Sequence, residues 1–310
     1  MQRLLLVANP SSSQFTGGGH RAVVRILERR FEVDTAWPQS TEHCRTLTAE
    51  AVADGFEVVA AMGGDGVVHH VGHVLTGTET ALAVIPTGTT NVYARLFGIP
   101  SKATAAARLL TGAHLRRPTS LLAIDGQQDL GTVRRHALFA AGFGYDAAVV
   151  RAAEQEPYRK YHFGGFHYAR TAIGVLLSDY RKRRPHIRVQ AGVRAANAVA
   201  VLVQFQPVYT YFGPKSLRFG PEQPDPMSAL IIEALPARRL PRLASGFIGG
   251  ADLDRLPGMQ VWSALESISF EADPPVWGQA DGELTGAWQT VSVSLRRDAI
   301  QVLVPAASVR

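Results

Sequence analysis

The sequence predicts a doubly wound α/β domain over residues 1–118, followed by a β-sandwich domain over residues 119–310. Three observations predict it. Apolar strand-like runs alternate with helical runs through roughly the first 115 residues, as expected for a parallel sheet covered by helices. Short β-rich runs then follow one another with little helix between them, the pattern of a sandwich. Loops rich in Gly, Ser and Thr leave the carboxyl ends of three early strands, where open α/β sheets bind ligands.

"RLLLVANP" is a continuous apolar run stopped at Pro10, which suits a strand buried on both faces. A polar, glycine-rich loop follows, then a helix from His20 to Arg30 and a second strand, "FEVDTAW". Ser40 or Thr41 is placed to cap the helix holding Cys44 to Asp54, with Gly55 just past its end. "FEVVAAM" is a third strand, Val67 to Leu75 a helix, and "TALAVIP" a fourth strand. A loop with a short helix, "TGTTNVYARLFGIP", and the helix "KATAAARLLTG" complete the first domain. The second is read from "TSLLAID", "HALFAAGFG", "HIRVQAG", "ANAVAVLVQF", "MSALIIEAL", "VWSALESISFEA", "TVSVSLRR" and "AIQVLVP", interrupted by a helical stretch from Tyr158 to Tyr180.

Composition narrows the partners. Lys and Arg number 32 against 26 Asp and Glu, a net charge of +6, which favours anionic partners such as nucleotide or acidic lipid. The basic residues fall in pairs and one block, Arg181 to Arg184, without interleaved aromatics, so nucleic acid is not the expected partner. The single cysteine, Cys44, excludes an internal disulfide and suits a reducing cytosol. The run Leu4 to Ala8 is too short for a signal-peptide core, and no run approaches the roughly 18 apolar residues that span a bilayer. Membrane contact is therefore expected to be peripheral, from the cytoplasm onto the inner face. Self-association is left open.

Three loops are candidates for holding phosphate: Asn9 to Gly19, Gly63 to Gly66, and Pro86 to Asn91. "GGDG" alone is a weak signal, equally at home in a plain turn. Three such loops at one sheet edge are more telling. The P-loop pattern GxxxxGK[ST] does not occur.

"NPSSS" (9–13), "GGDG" (63–66), "PTGTTNVYAR" (86–95), "GIP" (98–100), "GFGYDA" (142–147) and "DGE" (281–283) occur in one order along the chain. That ordered set resembles the diacylglycerol kinase catalytic family of lipid kinases, which includes sphingosine and ceramide kinases. The resemblance implies an ATP-binding α/β domain, a lipid-substrate β-sandwich, and an ATP- and Mg²⁺-dependent transfer of phosphate to a lipid hydroxyl. It implies that Asn9, Pro10, Ser11, Ser12 and Ser13 line a phosphate loop and that Thr41 touches nucleotide. Gly63, Gly64, Asp65 and Gly66 would bring backbone amides to the phosphates, with Gly88 and Thr89 facing them. Asp65 would help fix nucleotide or Mg²⁺. Asp281 and Glu283 fall on the family's catalytic pair, one of them the general base. A structural Mg²⁺ would take Asp225 with the carbonyls of Glu222 and Met227.

The chain departs from the family at several places. Val67 stands where a threonine is usual, His69, His70 and His73 where two asparagines and a glutamate commonly follow, and Val92 where an aspartate is common. Pro226 replaces a glycine after Asp225 and restricts the backbone of the residue before it, which works against metal there. His69 and His73 share i,i+4 spacing but lack the intervening glutamate of a zinc helix; helix-surface or cleft histidines are the expectation. "RKRR" reads as a solvated helix end or as an attachment to anionic lipid. Two other functions fit less well: a soluble-substrate kinase of NAD kinase type, and a catalytically weak lipid-binding descendant.

Overall fold

The structure is a computed structural model that describes residues 1–154, 184–213, 215–221, 226–234 and 256–306. The helical stretch expected from Tyr158 to Tyr180, most of the "RKRR" block, and Glu222 and Asp225 lie outside the described residues. In chain order the elements are β1 (Gln2–Ala8), α1 (Gly17–Leu27), β2 (Phe31–Ala36), α2 (Thr41–Ala53), β3 (Val58–Gly63), α3 (Asp65–Leu75), β4 (Ala81–Pro86), α4 (Val92–Leu96) and α5 (Ala103–Thr111). Then come β5 (His114–Gln128), β6 (Gly131–Ala137), β7 (Ala140–Gly144), α6 (Tyr145–Glu154), β8 (Ile187–Ala191), β9 (Arg194–Ala198) and β10 (Ala200–Gln204). The remainder is β11 (Thr210–Phe212), β12 (Lys215–Leu217), β13 (Ser228–Ile232), β14 (Met259–Trp262), β15 (Ser267–Ala280) and β16 (Glu283–Pro305).

The chain divides into two compact units, one of Met1–Leu121 with Arg297–Arg310, the other Leu122–Arg296. The last residues therefore group with the first unit, where the sequence reading assigns everything after residue 118 to the second domain. The physical reason is β16, whose end pairs parallel to β4 with Val302 opposite Leu82. A lone apolar run at a chain end carries no signal of which sheet it joins.

In the first unit four parallel strands run in the order β2, β1, β3, β4. Leu4, Leu6, Ala60 and Met62 on one side form a core with Val23 and Leu27 of α1 and with Ala107 and Leu110 of α5. The alternate residues Leu5, Val7, Val59 and Ala61 are buried too, and α2 and α3 pack over their strands. Both faces are thus covered, which explains why these strands read as continuous apolar runs. Thr16 caps α1, accepting from the Gly19 amide at 3.0 Å. Ser40, rather than Thr41, caps α2, accepting from the His43 amide at 3.1 Å.

The second unit is mainly antiparallel, with neighbours in the order β14, β13, β10, β7, β15, β16. The two ends of β15 have different partners. Residues 269–272 pair with β8 and residues 278–280 with β7, and the register breaks between Glu271 and Val276. Pro274 and Pro275 fall in that break, where they remove two ladder donors. Ile187 and Val189 from β8 share one core with Phe143, Val201, Ala229 and Trp288. Helix α6 begins inside "GFGYDA", directly after the strand "HALFAAGFG" that the sequence reading ends at Gly144.

Candidate functional site

β1 lies between β2 and β3, so the chain leaves β1 in one direction and passes β3 in the other. Loops diverge at such a switch point, and this is where open α/β sheets hold ligands. Three loops meet there. The Asn9 amide donates to the Met62 carbonyl at 2.9 Å, the Gln14 amide to Thr87 at 2.8 Å, and the Thr87 amide to Gly63 at 2.9 Å. The hydroxyls of Ser13 and Thr89 are 2.9 Å apart. The Asn9 side chain accepts from the Ser11 amide at 2.9 Å, closing the first loop. The Ser12 and Thr87 hydroxyls are buried with no hydrogen-bond partner among the described residues, and such polar atoms normally find one. Pro10 and Thr41 are exposed, Thr41 as the first residue of α2.

The glycines have a more specific reason than the sequence suggests. Gly63, Gly64, Gly66 and Gly88 do not adopt positive φ, so conformational freedom does not require them. A Cβ on Gly63 would lie 2.5 Å from the Val67 side chain, and one on Gly88 would lie 2.6 Å from the Gly64 Cα. Gly63 makes room for the valine that departs from the family, and Gly88 lets two loops touch. Backbone approach to phosphate is then available at Gly64 and in the first turn of α3, whose amides have no intrahelical acceptors.

Asp65, expected to help fix nucleotide or Mg²⁺, has a second job within the fold. Its carboxylate accepts from the amides of Val92 at 2.9 Å and Tyr93 at 3.0 Å, capping α4 from another loop. Asn91, at φ 50°, ties that loop to Gly88 through both ends of its amide. Asp65→Ala should therefore lower stability even without nucleotide, by about 1–3 kcal/mol for each amide left unpaired. A lower urea midpoint at unchanged slope would show it; an unchanged midpoint would return Asp65 to a ligand-only role.

His69 and His70 are buried rather than on the helix surface. Their rings are 5.1 Å apart, and His70 Nδ1 lies 3.4 Å from the Arg45 guanidinium of α2. His70 thus faces α2.

In the second unit "DGE" is a two-residue hairpin turn between β15 and β16, Ala280 pairing with Glu283. Asp281 has φ 54° and Gly282 φ 88°, the double left-handed geometry of a type I′ turn. The Asp281 side chain folds inward. One oxygen accepts from the Leu138 amide at 2.6 Å, the other from Phe139 at 2.9 Å and Ala140 at 3.2 Å. Asp281 is only 5% exposed. Of the two carboxylates expected to be catalytic, Asp281 holds the backbone together, and Glu283 is the half-buried one with access to solvent.

Sequence reasoning gives no role to Asp146, Tyr209 and Gln279, which the fold brings together. Tyr209 Oη donates to Asp146 Oδ2 at 2.6 Å, and Gln279 Nε2 donates to the same oxygen and to Tyr209 Oη at 2.7 Å each. Gln279 Oε1 accepts from the Gly282 amide at 2.7 Å. Burial pushes the Asp146 carboxyl above its ordinary value, the two hydrogen bonds opposing. Burial and then the Asp146 charge raise Tyr209, keeping it a donor. "GFGYDA" was the only signal, because residues 63 and 133 positions apart in sequence leave none.

For the structural Mg²⁺ only Met227 can be placed. It is buried, and its carbonyl accepts from the Leu265 amide at 3.0 Å. Glu222 and Asp225, the other two residues of that expected site, lie outside the described residues.

Residues 3–122 match the diacylglycerol kinase catalytic domain. A diacylglycerol kinase of Mycobacterium tuberculosis is 37% identical over 102 residues, which is 32% of this chain and 33% of that protein. A probable lipid kinase, YegS-like, of Pseudomonas aeruginosa is 33% identical over 154 residues, 49% of this chain and 46% of that protein. The chain thus spans a third to a half of the length of these relatives. A crystal structure of a putative diacylglycerol kinase from Bacillus anthracis superposes with a TM-score of 0.75 over 99% of both chains, at 18% identity. That likeness shows the fold. The diacylglycerol kinase catalytic match ends at residue 122, within β5, so it takes in all three loops of the first unit and stops before "DGE".

Proposed function

We propose that the protein is an ATP-dependent lipid kinase that transfers the γ-phosphoryl group to a hydroxyl of a membrane lipid such as diacylglycerol. The observation that carries this reading is the junction of three loops at the switch point of a sheet whose residues match the diacylglycerol kinase catalytic domain. Asn9 to Ser13, Gly64 and Thr89 hold the phosphates through amides and hydroxyls. Glu283 takes the proton from the lipid hydroxyl. The freed oxygen attacks the γ-phosphorus, and the bond to the bridging oxygen breaks to leave ADP. Mg²⁺ arriving with ATP supplies charge neutralisation, and the chain's own part is positioning and proton transfer.

Among the described residues no helix is long and apolar enough to cross a membrane. We therefore place the acceptor at an anionic inner membrane face, reached peripherally, as the net charge of +6 favours.

Radiolabelled ATP offered with diacylglycerol, sphingoid base, ceramide, prenol and NAD in parallel tests the reading. Label should enter a lipid extract, with diacylglycerol the leading acceptor. Label in NAD alone would establish the soluble-substrate kinase instead, and no transfer would leave a binding protein. ATP·Mg should also raise the melting temperature, since a ligand at about 100 times its Kd adds roughly 2.7 kcal/mol. No shift at millimolar ATP would overturn the phosphate-loop assignment.

A further inference from the structure

We propose that Asp146, Tyr209 and Gln279 form a positioning triad that fixes the Asp281–Gly282 turn and so sets where the Glu283 carboxylate sits. The inference rests on the reading of Glu283 as the base. Three features of the second unit carry it.

The orientation of the Gln279 amide is determined by its neighbours. Its Nε2 faces two oxygens, Asp146 Oδ2 and Tyr209 Oη, and its Oε1 faces the Gly282 N–H. Turning the amide over would set a carbonyl oxygen against a carboxylate and an NH₂ group against an N–H. Both contacts would then be repulsive. Asp146 thus orients Gln279, and Gln279 holds the turn.

The motif "GFGYDA" is shaped to make this possible. A Cβ on Gly142 would collide with Asp146 Oδ2 and would come within 2.6 Å of Tyr209 Oη and 2.8 Å of Gln279 Nε2. Gly144, at φ 81°, turns the chain from β7 into α6, which puts Asp146 in the first helical turn. Phe143, between the two glycines, is fully buried in the core.

The turn is gripped from two sides. The Asp281 carboxylate takes the amides of residues 138–140, and the Gly282 amide is taken by Gln279. Two residues beyond Glu283 the register shifts opposite Gly278 and Gln279, leaving Thr285 as an extra residue. Bulges of this kind re-aim neighbouring side chains. Glu283 therefore stands between a turn with both central residues fixed and a bulge, on a strand whose start has little freedom.

The test uses the full chain, with Tyr209→Phe and Gln279→Met made in the wild type and in Glu283→Gln. Transfer from labelled ATP is measured on phosphatidylglycerol vesicles holding diacylglycerol, beside amide hydrogen exchange of the peptide containing Gly282. Both variants should lower kcat by about ten-fold or more, up to the roughly 10²-fold expected for a misplaced reacting group, with KM for ATP unchanged. In Glu283→Gln they should cost nothing further, because groups acting as a unit are not additive. Exchange at Gly282 should quicken. The same fold-loss in both backgrounds would mean a general structural role and overturn the proposal, as would unchanged kcat. If the wild type labels no lipid, the kinase reading fails; exchange still decides the triad, an unchanged rate at Gly282 overturning it and a faster one supporting its hold on the turn.

Discussion

Glu283→Gln is expected to lower phosphate transfer to lipid by about 10²–10⁴-fold, the usual consequence of losing a general base. The substitution keeps size and most hydrogen bonding but leaves a group that takes no proton at neutral pH. ATP protection and melting temperature should stay near wild type, because Glu283 is half-buried and follows the turn rather than forming it. Its neighbour makes the assignment sharper. Asp281 is buried and its carboxylate already accepts three backbone N–H groups, so reaching a hydroxyl would require those bonds to break. Initial rates of label transfer, with thermal protection by ATP as the control, decide the matter. Full activity in Glu283→Gln would place the base elsewhere and remove the mechanism proposed above.

Much of the first unit was legible because parallel strands buried on both faces leave continuous apolar runs, and caps leave local marks. Ser40 and Gly55 ended or began α2 much as their residue types suggest. The candidate loops were legible as a set, and the structure brings Asn9 to Ser13, Gly63 to Asp65 and Gly88 to Thr89 together. What each residue does there was less so. The partners of Asp65 lie 27 and 28 positions away, and those of Asp281 more than 140. An acid between glycines looks the same in sequence whether it faces a ligand or a helix amide. Helix α6 escaped notice because "GFGYDA" continues an apolar strand, and only Gly144 marks the change of direction. The return of β16 to β4 rests on pairing across the whole chain, which periodicity does not encode.

Asp281→Asn separates the two roles that a carboxylate in "DGE" could play. Asparagine tolerates the left-handed backbone at φ 54°, so strain is not introduced. What changes is the charge and one oxygen. Oδ1 would keep the Phe139 and Ala140 amides, and an NH₂ group would then face the Leu138 amide, now 2.6 Å from Oδ2. A buried donor would lose its acceptor and meet another donor, at a cost of about 1–3 kcal/mol or more, since the bond lost is to a charged group. For a unit of this size that corresponds to a fall in melting temperature of roughly 2–12 °C. Amide exchange should quicken at residues 138–140, the segment that the carboxylate holds. Asp281→Ala should cost more, leaving three amides unpaired and adding backbone strain. Transfer activity in Asp281→Asn, measured well below its melting temperature, should fall by less than in Glu283→Gln, through loosening of the turn. A melting temperature equal to wild type combined with a 10²–10⁴-fold loss of rate would reverse the assignment and make Asp281 the base.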